Sequence, residues 1–121
     1  MRDISFEGVK DFPTFYADGI KRSKDEGKPV KVSGPATVAL CAAENMITGV
    51  IDTVDNDNAV CVVKTYGYVT LPASSAVSVG EAIELVADGA GGVKTPATAG
   101  SGKKYRVVNY GDGVVTFKLP G

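Results

Sequence analysis

"MITGVIDTVDNDNAVCVVKTYGYVTL" runs from Met46 to Leu71. It reads as two strands around a turn, followed by a third strand. The turn is Asp55 to Asn58, because short Asx side chains bond their own backbone and accept left-handed conformations. "MITGVIDTV" leads into it and "AVCVVK" answers it, which makes a hairpin. Gly49 inside the first run marks a bulge or a close backbone approach. In "YGYVTL", Tyr66, Tyr68 and Thr70 face one way while Gly67, Val69 and Leu71 face the other. Pro72 stops the run.

The same texture extends in both directions. "KPVKV" and "ATVALCA" flank the turn signal Ser33-Gly34-Pro35. A helix around Pro35 to Met46 is the alternative there, but the β-branched start favours strand for its first half. Ala82 to Ala87 forms a strand with Ile83 and Leu85 inward and Glu84 outward. "DGAGGVKTPATAGSGK" is loop-like, with Val93 as a candidate for a brief strand. "KYRVVNY" and "VVTFKL" pair across Gly111-Asp112-Gly113, with Val115, Phe117 and Leu119 on the inward face. These segments predict an all-β protein, a small antiparallel barrel or sandwich of about seven to eight short strands, because strands with one apolar face need a closed or two-layer arrangement.

The 121 residues suffice for one domain with a hydrophobic core. We read residues 28–121 as a single β domain and residues 1–27 as an N-terminal arm or loosely packed segment. The arm carries Phe6, Phe12, Phe15 and Tyr16. Phe12, Phe15 and Tyr16 would share one face of a short helix starting near Pro13, or an extended arm would bury them on this chain or a neighbour. Cys41 and Cys61 sit in apolar runs and read as buried hydrophobes, with a disulfide left open. The first residues carry no apolar stretch of signal-peptide length, and no run suffices for a membrane helix, so synthesis in the cytoplasm is expected.

The net charge of -1 does not suggest a nucleic-acid partner. Lys21, Arg22, Lys24, Lys28 and Lys31 cluster, but Asp25 and Glu26 lie among them and the segment reads as solvated. The chain has no histidine, which excludes histidine-dependent triads and zinc sites that use histidine. A calcium loop starting at Asp55 would want glycine and glutamate where Val60 and Tyr66 stand. "AGSGKK", Ala99 to Lys104, approximates a phosphate loop, but Ala97 and Lys104 occupy the positions of its first glycine and its hydroxyl, and the segment precedes a strand. Glu84 and Asp88 have no evident partner for glycosidic chemistry. We therefore expect no catalytic, cofactor or metal site, and a role carried by a surface. Tyr66 and Tyr68, with the arm residues Phe12, Phe15 and Tyr16, are the candidate interface residues.

The order "GVIDTV…YGYVTLPAS…VSVGEAIELVADGAGGVKTPAT…VVTFKLPG" resembles the capsid decoration, or cement, proteins of tailed bacteriophages and prophages. The elements that carry the resemblance are Gly49 and Val50, Gly67 to Pro72, Val79 to Leu85, Asp88 to Gly92, and Val115 to Leu119. The resemblance implies a β-barrel with an extended arm, a homotrimer, and the major capsid protein as partner. It also implies a place on the virion surface after synthesis in the bacterial host cytoplasm, with neither nucleic acid nor membrane as partner. The alternative from the residues is a monomeric ligand- or carbohydrate-binding β module using Tyr66 and Tyr68. The aromatic segment before Lys28 departs from the lean start of that family.

Overall fold

In the computed structural model, which describes residues 13–120, the Asx turn joins β4 (Gly49–Val54) to β5 (Val60–Lys64) as an antiparallel pair. The Asp55 carboxylate organises the turn. Its Oδ1 accepts from the amides of Ala59 at 2.8 Å and Val60 at 3.2 Å, and Asn58 takes the left-handed conformation at φ 55. Gly49 marks a close approach: a Cβ there would lie 2.5 Å from the Lys64 carbonyl oxygen.

β4 also pairs with β2 (Pro29–Gly34), which pairs with β3 (Thr37–Leu40). β1 (Thr14–Asp18) then fills the remaining gap, parallel to β3 on one side and antiparallel to β5 on the other. The order β1-β3-β2-β4-β5 therefore closes on itself as a small barrel. Val30, Val38, Ile51, Cys61 and Val63 fill it, with Phe15, Ala17 and Leu40 packed against them.

The second half is a five-stranded sheet in the order β6-β10-β9-β7-β8. Its strands are β6 (Gly67–Pro72), β7 (Gly80–Ala87), β8 (Val93–Lys94), β9 (Lys103–Gly111) and β10 (Val114–Leu119). Alternation decides its faces: Val69 and Leu71, Tyr105 and Val107, and Val115, Phe117 and Leu119 all point inward and are buried. Tyr105 meets Phe117 edge-on at 5.0 Å between ring centroids. The sheet curls until Ala73, just past β6, bridges Val93 of β8.

Residues 41–48 join the two halves. Cys41 and Ile47 leave the barrel and enter the second core. The Glu44 amide donates to the Ala87 carbonyl at 2.9 Å, and the Ala87 amide donates to the Asn45 carbonyl at 3.0 Å.

Several expectations need correction. The described part of the arm, residues 13–27, is integral to the barrel. Instead of a helix from Pro13 it forms β1, and Ile20 behind it is 1% exposed. Burying Phe15 and Ala17 against the barrel core is what fixes that strand. The β1–β3 pair is parallel, so the barrel is mixed and not purely antiparallel. The described residues hold ten strands against the expected seven to eight: β1 is the unforeseen one, and β8 is the brief strand for which Val93 is the candidate. Pro35 to Met46 holds β3 and a loop, with no helix.

The basic cluster is also more structured than its composition suggests. Asp25 is 2% exposed. Its Oδ2 accepts from the Lys21 amide at 2.8 Å, and its Oδ1 accepts from Lys28 Nζ at 2.9 Å. Burial by itself would raise this carboxyl, but the Lys21 amide and then Lys28 outweigh it, and its pKa is lowered. A lowered folded pKa adds stability above the ordinary carboxylate range, and that stability is lost as pH falls through the folded value. Asp25→Ala is therefore expected to cost about 1–3 kcal/mol at neutral pH. In urea unfolding of the two proteins, the difference should shrink as the pH is lowered below the carboxylate range.

Candidate functional site

The outer face of the second sheet presents the residues left over by its alternation. Tyr68 lies opposite Lys118, Thr70 opposite Thr116, and Pro72 opposite Val114. Thr116 in turn lies opposite Asn109, and Phe117 opposite Val107. The register shift between them leaves Val108 as the extra residue of a β-bulge, pushed outward. Tyr66 precedes β6 in the link from the barrel.

The side chains on this face hold one another. Lys118 Nζ donates to the Tyr66 hydroxyl at 3.3 Å and sits 4.8 Å from the Tyr66 ring centroid, a cation–π placement. Arg106 Nη1 donates to the Tyr68 hydroxyl at 3.4 Å, and its Nε donates to Glu81 Oε1 at 2.9 Å. The Tyr68 hydroxyl first, and Glu81 second, raise the Arg106 pKa further. Lys64 Nζ donates to the Tyr68 carbonyl at 2.6 Å. Thr70 and Thr116 share a hydroxyl–hydroxyl bond of 2.8 Å.

Apolar area stays open among these groups. Tyr66 is 50% exposed, Tyr68 43%, Val108 45% and Val114 39%. The face thus combines half-open tyrosines, valines and positioned cations, with the tyrosines able to keep the ring half-buried and the hydroxyl wet.

The candidate interface residues fall in different places. Tyr66 and Tyr68 are exposed on one face, as their alternation predicts. Phe15 packs against the barrel core and Tyr16 is half-buried on β1, its amide donating to Ala36 O at 2.7 Å. Phe12 lies outside the described residues. Arg106 and Lys118 were not singled out from the sequence. Their alternation with Tyr105, Val107 and Phe117 places them outward, but only the β6–β10–β9 order brings them to the tyrosines.

Other motifs resolve into internal bonds. The "AGSGKK" loop turns its amides onto Glu84: Gly100 N donates to the two carboxylate oxygens at 2.9 and 3.1 Å, and Gly102 N to one at 3.2 Å. Asp88 Oδ1 accepts from the amides of Ala90 and Gly92. Among the described residues, no group of three or more Cys, Asp or Glu side chains is placed to hold a metal ion, and no helix is long and apolar enough to cross a membrane.

Neither a protein-family model nor a curated protein matches this chain.

Cys41 and Cys61 are free and buried in different cores. Burial pushes both thiols up to about 11, with Lys31 opposing the rise at Cys41 and Asp55 adding to it at Cys61. A thiol so raised supplies little thiolate at neutral pH. Alkylation of the native protein with iodoacetamide is expected to be slow, and fast at both cysteines in guanidinium. Peptide mass spectrometry checks this, and rapid native labelling at either position would contradict the burial.

Proposed function

We propose that this chain is a structural virion protein that binds the outer surface of a phage capsid lattice and stabilises contacts between major capsid subunits. The observation that carries the reading is the outer face of the second sheet. It leaves Tyr66 and Tyr68 open at the Lys118 end, Val114 open at the Pro72 end and Val108 open between them, on a scaffold with two filled cores behind it. Such a surface suits a lattice partner, because each copy needs only modest affinity where many symmetric sites act together. The resemblance of Gly67 to Pro72, Val79 to Leu85 and Val115 to Leu119 to the decoration proteins supplies the partner, the major capsid protein, and the homotrimer.

A carbohydrate-binding module is the second reading, favoured by two half-exposed tyrosines on one face. It ranks lower because Lys118 already stands over the Tyr66 ring, where a sugar would stack.

The test is copy number in purified phage or induced prophage particles, by gradient sedimentation and quantitative peptide mass spectrometry. The expected result is a number near that of the major capsid subunit. Absence from gently banded particles would overturn the reading. The double variant Tyr66→Ala/Tyr68→Ala is expected to fold normally and to attach roughly tenfold more weakly, or worse, since buried tyrosines commonly anchor interfaces.

A further inference from the structure

The chain as a whole carries a charge of -1, but the outer face of the second sheet does not share that balance. Lys64, Arg106 and Lys118 bond to the tyrosine pair, and Lys104, exposed on β9, lies in register with Glu84 of β7. The acids of the face are Glu81 and Glu84. Glu84 is turned onto the Gly100 and Gly102 amides, and Glu81 is bound to Arg106 but remains 82% exposed as a side chain. The Lys64 and Lys118 ammonium groups are held by neutral oxygens, the Tyr68 carbonyl and the Tyr66 hydroxyl. Lys64 and Lys118 are therefore positioned by neutral groups that leave their charge uncompensated, and the open apolar side chains of Val108 and Val114 lie farther along the same sheet.

We infer that this face docks on an acidic protein surface, one that offers carboxylates to Arg106 and Lys118 beside apolar side chains for Val108 and Val114. The inference rests on the lattice-binding reading for the identity of the partner, and on the charge of the face for its chemistry. Arg106 is the pivot. Its guanidinium presents a planar fork of donors suited to a carboxylate. Glu81 occupies one side of that fork from a solvent-exposed position, so a partner carboxylate can replace it at little cost, as exposed ion pairs are weak. The tyrosine hydroxyls keep the two cations in place during the exchange. Steering by such a face speeds association and makes it depend on salt.

The experiment is cosedimentation of the full chain with undecorated shells of the major capsid protein, between about 50 and 500 mM NaCl. Attachment should weaken as salt rises. Arg106→Glu/Lys118→Glu should weaken it roughly tenfold or more, and Glu81→Gln should tighten it. Melting temperatures establish that the variants fold. Should the double reversal fail to fold, the salt series and Glu81→Gln still decide.

Attachment that ignores salt and these substitutions overturns the acidic partner and leaves the lattice reading standing. If the wild-type chain attaches at no salt concentration, the lattice reading falls. The chemistry is then judged by amide NMR shifts on adding a peptide of alternating Glu and Leu, its Gln–Leu counterpart, or oligo(dT). Shifts at Tyr66 to Thr70 and at Arg106 with the Glu–Leu peptide, exceeding those with Gln–Leu, sustain the inference. Equal or absent shifts, a response to oligo(dT) alone, or salt-dependent self-association without a peptide response overturn it.

Discussion

The paired hydrogen bonds between Glu44–Asn45 and Ala87 are the constraint on which the two-part architecture depends. Leu85, Val86 and Ala87 are fully buried at that end of β7, so the strand cannot slide without exposing them. Glu44 accepts a left-handed backbone at φ 70 to make its part of the pair, and its carboxylate then holds Lys94 and the Ala97 amide. A Cβ at Gly89 would lie 2.9 Å from the Ala43 amide nitrogen, which leaves glycine as the residue that fits. The junction is tight in backbone and side chain alike, and it turns a closed barrel and a curled sheet into one body with two cores.

That body determines what the outer face can do. Tyr66, Tyr68, Arg106 and Lys118 are long side chains that would ordinarily lose much rotamer freedom on binding. Here hydroxyl–cation and cation–π contacts hold them before any partner arrives. The inward neighbours Val69, Val107 and Phe117 fix the strands beneath them. The Val108 bulge adds local twist and turns one more apolar group outward. Proposed capsid contacts would thus meet a surface organised in advance, with its polar groups already oriented.

Much of this was legible in the residue pattern, and the remainder has identifiable physical causes. Asp55 and Asn58 announced the β4–β5 turn through local chemistry, and Tyr68, Thr70, Lys118 and Thr116 announced the outer face through alternation. β1 left no such signal. Phe15 and Tyr16 are adjacent, and the strand is half-buried along Thr14 to Ala17, so no period of two emerges. Its partners are β3 and β5, and closure of a barrel is a long-range event that no local window contains. The same limit hid the role of Arg106. Thr70 and Thr116 are 46 residues apart in sequence yet share a hydrogen bond. Only that non-local pairing brings β9 within reach of Tyr68. Asp25 looked like one charge in a solvated run, because its burial and its bonds to the Lys21 amide and Lys28 Nζ depend on how the segment folds back.

The bridge from Ala73 to Val93 has a consequence for how this protein meets others of any kind. Strand edges are where sheets recruit foreign chains, by extending their ladders of amides and carbonyls. The barrel has closed its ring, β8 is only two residues long, and the flank of β6 is met at one end by Lys64 and at the other by the bridge. Ladder extension is therefore disfavoured at the barrel and at both ends of β6, and the stretch of β7 from Gly80 to Leu85, which β8 does not cover, is the edge left to it. Where the edges are closed, any recognition is left to side chains, and there a few substitutions can change what is recognised while the fold stays unchanged.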